Sequence, residues 1–308
     1  MMQNLYTFFD RLSSPRISRI GTLCIRTLVN IIVPIYYRLS ITPMLKSKQN
    51  NCLTVSLTSF PARINKVWIV IESLLRQKKK ADRIVLYLSE VDFPDKTLPK
   101  SLLRLKKKGV EIMFVEGNLR SHKKWYYAFQ DYRNEYVVTA DDDIVYPSNM
   151  LVDLWNAHLH FPSMGIARYA KQVMFTLSGV APYNTWGKVK NNPSASISFG
   201  SGGGYLFPVR NLNKGIFAID VFMEICPNAD DLWLYTFMCI SGMRTYLING
   251  ETCSIINIQI RHDSRLTVSN CMEGGNDLQL AGILDYIKTK YGLTIEIFKD
   301  VDNRKVEE

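Results

Sequence analysis

No two of the six cysteines, Cys24, Cys52, Cys226, Cys239, Cys253 and Cys271, form a C-x-x-C pair, and the four histidines do not cluster with them. That weakens both a structural zinc site and a disulfide framework, and fits small apolar side chains kept in a reducing compartment. Internal repeats are absent. So is a G-x-x-x-x-G-K-S/T phosphate loop, and Gly200-Ser201-Gly202-Gly203-Gly204 does not match G-x-G-x-x-G. Acidic residues are scarce at the start: residues 1–48 hold seven Lys/Arg against Asp10 alone, so +6 of the net +10 charge sits there. The longest charge-free run of that segment, Thr27 to Tyr37, has 11 residues and contains Pro34. Spanning a bilayer takes about 20.

What is present argues for a folded core. The 308 residues are 47% hydrophobic and 11% aromatic, enough for one large α/β domain with appendages or for two domains. Basicity is mostly an N-terminal property, and no basic stripe interleaved with aromatics covers the rest, so nucleic acid is not an expected partner. Lys78-Lys79-Lys80 and Lys106-Lys107-Lys108 read as solvated helix ends or loops. From Leu5 to Ile41 apolar and aromatic residues alternate with Arg11, Arg16, Arg19, Arg26 and Arg38, without the pattern of a cleavable secretory signal. An amphipathic segment in a membrane interface, its arginines facing anionic headgroups, fits; an ordinary packed N-terminal helix is the alternative. The polar stretch Ser47 to Asn51 marks a boundary. The expected organisation is a membrane-surface segment over 1–50, a catalytic domain over 51–300 and a tail over 301–308.

Beyond Asn51 apolar strands alternate with amphipathic helices, the signature of a mostly parallel sheet covered on both faces. The patterns predict strands at Leu53–Thr58, Arg83–Leu88, Val110–Val115 and Tyr136–Ala140. Helices are predicted at Asn65–Gln77, Lys100–Lys108 and His122–Tyr132, where right-handed crossovers require them. Val67, Trp68, Ile71, Leu74 and Leu75 form a core-facing stripe on the first. A helix near Ser148–His158 comes next. The Gly-, Pro-, Asn- and Ser-rich stretch from Ser178 to Gly204 exceeds an ordinary connection. Later elements are Tyr205–Phe207, a helix over Asp230–Ile240, strands near Arg244–Ile248 and Ser254–Ile260, and a helix over Asn276–Tyr291.

Asp141, Asp142 and Asp143 directly follow the run Tyr136–Ala140. They therefore emerge at the carboxyl end of a buried strand, where open α/β sheets bind ligands. Oxygen-only donors on a short turn suit Mg²⁺ or Mn²⁺, which take one or two carboxylates and complete their shell with water and phosphate oxygens. Alternate residues turn to one side, so Asp141 and Asp143 are the natural metal pair, with Asp142 left to cap or support. An acidic turn capping the next helix is the plainer possibility, but capping uses one Asp, not three.

Four features stand in order: Thr58-Ser59-Phe60-Pro61-Ala62-Arg63 after the first strand, His122-Lys123-Lys124-Trp125-Tyr126-Tyr127 opening a helix, the three aspartates, and Asn228-Ala229-Asp230-Asp231-Leu232-Trp233 at a helix start. Together they resemble the bacterial glycosyltransferases of the GT-A fold, family-two-like enzymes of capsule and lipopolysaccharide glycan synthesis, over about residues 52–290. The resemblance implies a Rossmann-like α/β domain, with Asp141–Asp143 as the D-x-D motif and Asp230-Asp231 as the ED-type motif. It places Thr58, Ser59, Phe60 and Arg63 on the nucleotide base and ribose, with Asp142 at the same nucleotide-sugar site. Asp141 then lies near ribose and metal, and Asp143 ligates the metal that bridges the diphosphate. Lys124 meets a phosphate, or is a surface lysine. Gly202-Gly203-Gly204 resembles the segment that lets backbone approach the donor sugar, since glycine allows close contact and positive φ; a loop hinge is the alternative. His262 is implied as a third metal ligand.

The expected reaction moves a sugar from a nucleoside diphosphate, UDP by resemblance alone, to a hydroxyl of a glycan or lipid-linked glycan at the cytoplasmic face of the plasma membrane. A carboxylate-held Mn²⁺ or Mg²⁺ neutralises the leaving diphosphate. Asp231, or failing it Asp230, is the candidate base, in which case the displacement inverts; both also suit a helix cap. The acidic pair reads Asp-Asp rather than Glu-Asp, and a Q-x-x-R-W motif is absent, which argues against a processive synthase. A nucleotidyltransferase is an alternative, disfavoured because Thr58-Ser59-Phe60-Pro61 is not a glycine-rich basic loop. A non-catalytic membrane-associated assembly partner is another.

Overall fold

The computed structural model describes residues 2–12, 14–45, 53–177, 179–258 and 274–300. Two N-terminal helices, α1 (Met2–Asp10) and α2 (Pro15–Leu39), precede the alternating region. There β1 (Leu53–Thr58), α3 (Val67–Leu75), β2 (Arg83–Ser89), α4 (Lys100–Lys106), β3 (Glu111–Val115), α5 (Lys123–Asp131), β4 (Tyr136–Ala140) and α6 (Met150–His160) follow in turn. The chain continues through β5 (Gly165–Ala167), β6 (Ala170–Gln172), β7 (Phe175–Thr176), β8 (Gly179–Val180), β9 (Ile197–Phe199) and β10 (Tyr205–Pro208). It ends with α7 (Ile219–Ile225), α8 (Asp230–Ile240), β11 (Thr245–Leu247) and α9 (Gly275–Tyr291).

A seven-stranded sheet runs in the order β11-β5-β10-β4-β1-β2-β3. Only β10 runs against its neighbours β4 and β5, so the sheet is mostly parallel, as expected. Alternation along each strand divides the core. Val85, Tyr87 and Val137 face the α5, α8 and α9 side, while Ile84, Leu86, Val138 and Ala140 face the α3 and α6 side. Both faces are therefore covered by helices. Apolar residues at adjacent strand positions have no solvent face to occupy, which explains their near-continuous runs. Gly165 is required by close packing: a Cβ there would lie 1.7 Å from the Tyr205 hydroxyl.

The expected strand Ser254–Ile260 does not form over its described part. The segment pairs at a single bridge, Asn257 to Ile144, flanked by Val145 N to Ile256 O at 3.0 Å and Ile258 N to Asp143 O at 2.6 Å. It splints the aspartate turn instead of joining the sheet. Residues 259 and 260 lie outside the described residues.

The N-terminal segment is more continuous than its charge-free run implied. Pro34 lies inside α2, and Arg16–Leu39, 24 residues, is long and apolar enough by length and composition to cross a membrane. One stripe of it rests on the domain. Ile25 and Val29 meet Ile256, the Asn30 amide donates to the Asn257 carbonyl at 3.0 Å, and Tyr37 joins the α3 core. Its C-terminal end is clamped through buried Glu72, which accepts from Thr42 Oγ1 at 2.7 Å, Arg104 at 2.6 Å and Arg76; Arg76 also donates to Ser40 Oγ at 2.7 Å. Gly21 lets α1 cross α2, since a Cβ would fall 2.1 Å from the Phe9 ring.

Among the described cysteines none is disulfide-bonded: Cys226 and Cys239 are buried, Cys24 is exposed. The interior pair behaves as small apolar residues; Cys24 does not.

Candidate active site

Register brings the first two motifs together. β1 and β4 are parallel neighbours with Leu57 opposite Ala140, so the turn starting at Thr58 and the aspartates emerge side by side. Ser59 Oγ donates to Asp142 Oδ2 at 2.6 Å, and Arg63 Nη1 donates to Asp142 Oδ1 at 2.7 Å. The same guanidinium lies 3.0 Å from Asp143 Oδ2 and stacks over the Phe60 ring. Asp142 is thus the buried brace, and charge-assisted bonds of this kind contribute about 1.5–3 kcal/mol each. Thr58 Oγ1 is turned away to the Tyr87 carbonyl at 2.8 Å, so its side chain ties β1 to β2.

Lys124 joins this turn to the α8 acids. Its Nζ lies 2.8 Å from Asp141 Oδ1 and 3.1 Å from Asp230 Oδ2, with only 5% of the side chain exposed. It is not a surface lysine. Ser201 completes the link: its N–H donates to Asp231 Oδ1 at 2.8 Å and its hydroxyl to Asp230 Oδ2 at 3.1 Å, while its carbonyl accepts from Thr139 Oγ1 at 2.7 Å. Five carboxylates therefore share one site with Lys124 and Arg63, an excess of negative charge that favours cation binding.

The glycines are there for space. A Cβ on Gly202 would lie 1.8 Å from Asp141 Oδ2, and one on Gly203 2.5 Å from Tyr169 Cβ. Gly204 has φ +95°, and a Cβ there would meet Met150 Sδ at 2.9 Å, so all three positions demand glycine. Tyr146, which the motifs did not single out, holds the glycine segment to the aspartates: its hydroxyl accepts from Asp141 N at 2.8 Å and donates to the Gly202 carbonyl. Ser201 was likewise missed. A tyrosine shortly after the aspartates and a serine opening a glycine run were the only traces in sequence. Each is informative only once the strands are paired.

Burial and charge split Asp142, Asp143 and Asp231 from Asp230. Burial pushes the Asp231 carboxyl up to about 7, helped by neighbouring Asp230. Burial also raises Asp143 to about 6 against the opposing Arg63, and raises Asp142. Burial works upward on Asp230 too, but the Lys124 charge prevails and holds it below the ordinary carboxylate range. Lys124 is reciprocally held well above its ordinary value: burial alone would lower it, and Asp141 and Asp230 overcome that. Buried His122, whose Nε2 lies 2.8 Å from the Cys226 carbonyl, is lowered by burial to about 4 and is neutral. Two carboxylates with pKa values driven apart are what acid–base work requires.

Among the described residues no three acidic, histidine or cysteine side chains stand together as a metal cage. Asp141 and Asp143 remain as two alternate donors, 40% and 21% exposed. Two carboxylates with an outer shell of water and phosphate oxygens is a donor set that suits Mg²⁺ or Mn²⁺. His262 lies outside the described residues.

No known protein family and no curated protein sequence matches the chain. Among solved structures it is similar to the mannosyltransferase PcManGT from Pyrobaculum calidifontis in complex with GDP-Man and Mn²⁺, at 9% identity, TM-score 0.49, covering 97% of this chain and 79% of that one. It is also similar to S. aureus TarS 1–349 in complex with UDP, at 13% identity, TM-score 0.40, covering 65% of this chain and 58% of that one. A third similar structure is 4-diphosphocytidyl-2C-methyl-D-erythritol synthase, at 10% identity, TM-score 0.41, covering 70% and 95%. Two of the three are glycosyltransferases, but similarity at this level carries no assignment of activity.

Proposed function

We propose that this protein is a GT-A-type glycosyltransferase, dependent on a divalent metal, that moves a sugar from a nucleoside diphosphate to a hydroxyl of a bacterial surface glycan or its lipid-linked precursor. The observation that carries the reading is the convergence of Asp141–Asp143 at the end of β4 and Asp230-Asp231 at the start of α8 on one site, joined by Lys124.

Asp141 and Asp143 would hold Mn²⁺ or Mg²⁺, which supplies Lewis-acid neutralisation of the leaving diphosphate. Phe60 and Arg63, on the turn after β1, would receive the nucleotide, and buried Asp142 keeps that turn in place. Gly203 and Gly204, whose missing side chains make way for Tyr169 and Met150, would let the backbone there lie beside the donor sugar. Lys124 holds Asp141 and Asp230 in position while ionised. Asp231 would take the proton of the attacking hydroxyl, and its raised pKa suits a base working near neutrality. With the base opposite the leaving group, the displacement inverts the anomeric centre. The donor would be a hexosyl or N-acetylhexosaminyl nucleotide, and the irregular stretch after Ser178 would choose the acceptor. Helix α1 and the arginine-bearing helix α2 would rest on the cytoplasmic surface of the plasma membrane.

A thermal-shift series with Mn²⁺ plus UDP, GDP and other nucleoside diphosphates tests the donor and metal assignments. Ligand at about 100 times Kd stabilises the native state by about 2.7 kcal/mol, so Tm must rise for at least one nucleotide and only with metal. Asp143→Ala should abolish that rise and the metal-dependent hydrolysis of the matching nucleotide-sugar. A protein whose Tm ignores every nucleotide, or an Asp143→Ala variant with full turnover, would overturn the reading.

A further inference from the structure

Lys123 and Lys124 open α5 side by side, and the site described above uses only the second. Lys123 is 2% exposed, yet among the described residues its ammonium has one hydrogen-bond partner, Asn118 Oδ1 at 2.6 Å, and no carboxylate pairs with it. An ammonium carries three donors, so Asn118 answers only part of its capacity. Burial pulls its pKa down to about 8, and the charges of Asp92 and Asp142 oppose this only in part. A buried cation with so little compensation is costly to hold, which suits Lys123 to an incoming acceptor.

Its surroundings are built. The Asn118 amide serves both sides: Oδ1 accepts from Lys123 and from the Arg120 N–H at 3.0 Å, while Nδ2 donates to Asp92 Oδ1 at 2.9 Å and Oδ2 at 3.0 Å. Each Asp92 oxygen keeps a further lone pair. Arg120 is held at φ +51°, a strained setting of the kind that clusters at ligand clamps. The Ser89 hydroxyl donates to the Gly117 carbonyl at 2.6 Å and accepts from Val91 N at 3.1 Å, tying the end of β2 to the end of β3. Asp92 and Asn118 are half-buried, so this chain of contacts reaches the surface.

Position decides which part of a nucleotide could arrive there. Strands β4, β1, β2 and β3 lie side by side in that order and run parallel, so Asp92 and Asn118 share a sheet edge with the aspartates. At about 4.8 Å per strand, the ends of β2 and β3 stand about 10 and 14 Å from that of β4. A diphosphate on a metal at Asp141 and Asp143 would set its ribose near Phe60 and its base beyond, towards Asp92. The turn after β1 has little left to read a base with, because Ser59 and Arg63 are bonded to Asp142 and Thr58 to the Tyr87 carbonyl.

Uracil, thymine and guanine present a ring N–H beside a carbonyl, whereas cytosine and adenine present a bare ring nitrogen beside an amino group. We propose that Lys123 and Asp92 read this edge of the donor's nucleobase: Lys123 donates to the carbonyl and Asp92 accepts the ring N–H. The donor therefore carries uracil, thymine or guanine, and not cytosine or adenine. The inference rests on the transferase reading above and deepens it by naming the class of base and the two residues that select it.

Titration calorimetry of the full chain in Mn²⁺ with UDP, dTDP, GDP, CDP and ADP tests it. At least one of the first three should bind about tenfold or more tightly than both CDP and ADP, the low end of what one mismatched base edge costs. Asp92→Asn, a near-isosteric change at a half-buried position, can turn an amide N–H towards a bare ring nitrogen. It should weaken the favoured nucleotide and narrow its lead over CDP by about tenfold. Lys123→Met removes a buried charge without stranding Asn118 Oδ1, which keeps the Arg120 N–H. That variant should lose about tenfold for the favoured nucleotide and less for CDP and ADP. A wild type that binds all five alike would overturn the proposal. So would variants that lose every nucleotide equally, since a phosphate contact or a purely structural role predicts that result. A protein that binds nucleoside diphosphates with Mn²⁺ but without preference keeps the transferase reading and loses this one; a protein that binds none loses both.

Discussion

Replacing Lys124 by methionine removes one charge from the centre of the carboxylate cluster while keeping a side chain of similar reach. The two ion pairs lost are unequal. Asp141 is 40% exposed, so water takes over much of its solvation, and such a pair is worth at most about 1 kcal/mol. Asp230 is 7% exposed and is left with the Ser201 hydroxyl. A buried carboxylate stripped of its cation costs about 3–5 kcal/mol, so the Asp230 pair decides the outcome. Urea unfolding at pH 7 should show a loss of about 3–5 kcal/mol, and Tm should fall by at least about 6 °C at roughly 2–4 °C per kcal/mol.

The pH dependence has a definite sign. In the wild type the folded pKa of Asp230 is depressed, so its contribution is present above the unfolded carboxylate pKa and is lost as pH falls through the lower folded value. Without Lys124, burial is the largest influence on Asp230 and raises the folded pKa. Asp230 then costs stability at pH values above the unfolded pKa, and the gap to wild type narrows as pH is lowered from 7 towards 4. The double variant Lys124→Met/Asp230→Asn, which no longer buries that charge, should regain more than half of the loss. A Lys124→Met protein within about 1 kcal/mol of wild type at pH 7, or a gap that does not change on acidification, would show that Lys124 is not the charge holding the cluster together.

Asp231→Asn should lower kcat by about 10²–10⁴-fold; the wild-type rate should rise with pH through about 7, where the folded Asp231 loses its proton, and a flat profile would remove Asp231 as the base. Gly202→Ala must move Asp141, given a Cβ 1.8 Å from its Oδ2, so the Mn²⁺-dependent Tm rise should disappear in thermal-shift assays while the fold survives by circular dichroism. Tyr146→Phe strands the Asp141 N–H and the Gly202 carbonyl. It should cost about 1–3 kcal/mol in denaturant unfolding and raise KM for the nucleotide-sugar, and an unchanged KM would deny Tyr146 a positioning role.

The local elements were written in local sequence. Strands Leu53–Thr58 and Tyr136–Ala140 and helix Asp230–Ile240 stand at their expected bounds, because a buried parallel strand needs only a short apolar run and a core helix only its periodicity. The aspartate turn and the glycine triplet were visible for the same reason: a strand end and a missing side chain are properties of adjacent residues. Tertiary structure decided what those residues touch. Lys124 lies 106 residues from Asp230, and nothing local pairs them; β10, inserted antiparallel between β4 and β5, carries Ser201 and Gly202 to the aspartates. Ser254–Ile258 has a strand's composition but only a single-bridge partner at Ile144, because a strand exists only where another strand offers its backbone groups. α2 likewise gained a length that its charge-free run did not show, since a helix tolerates arginines on a face turned to water.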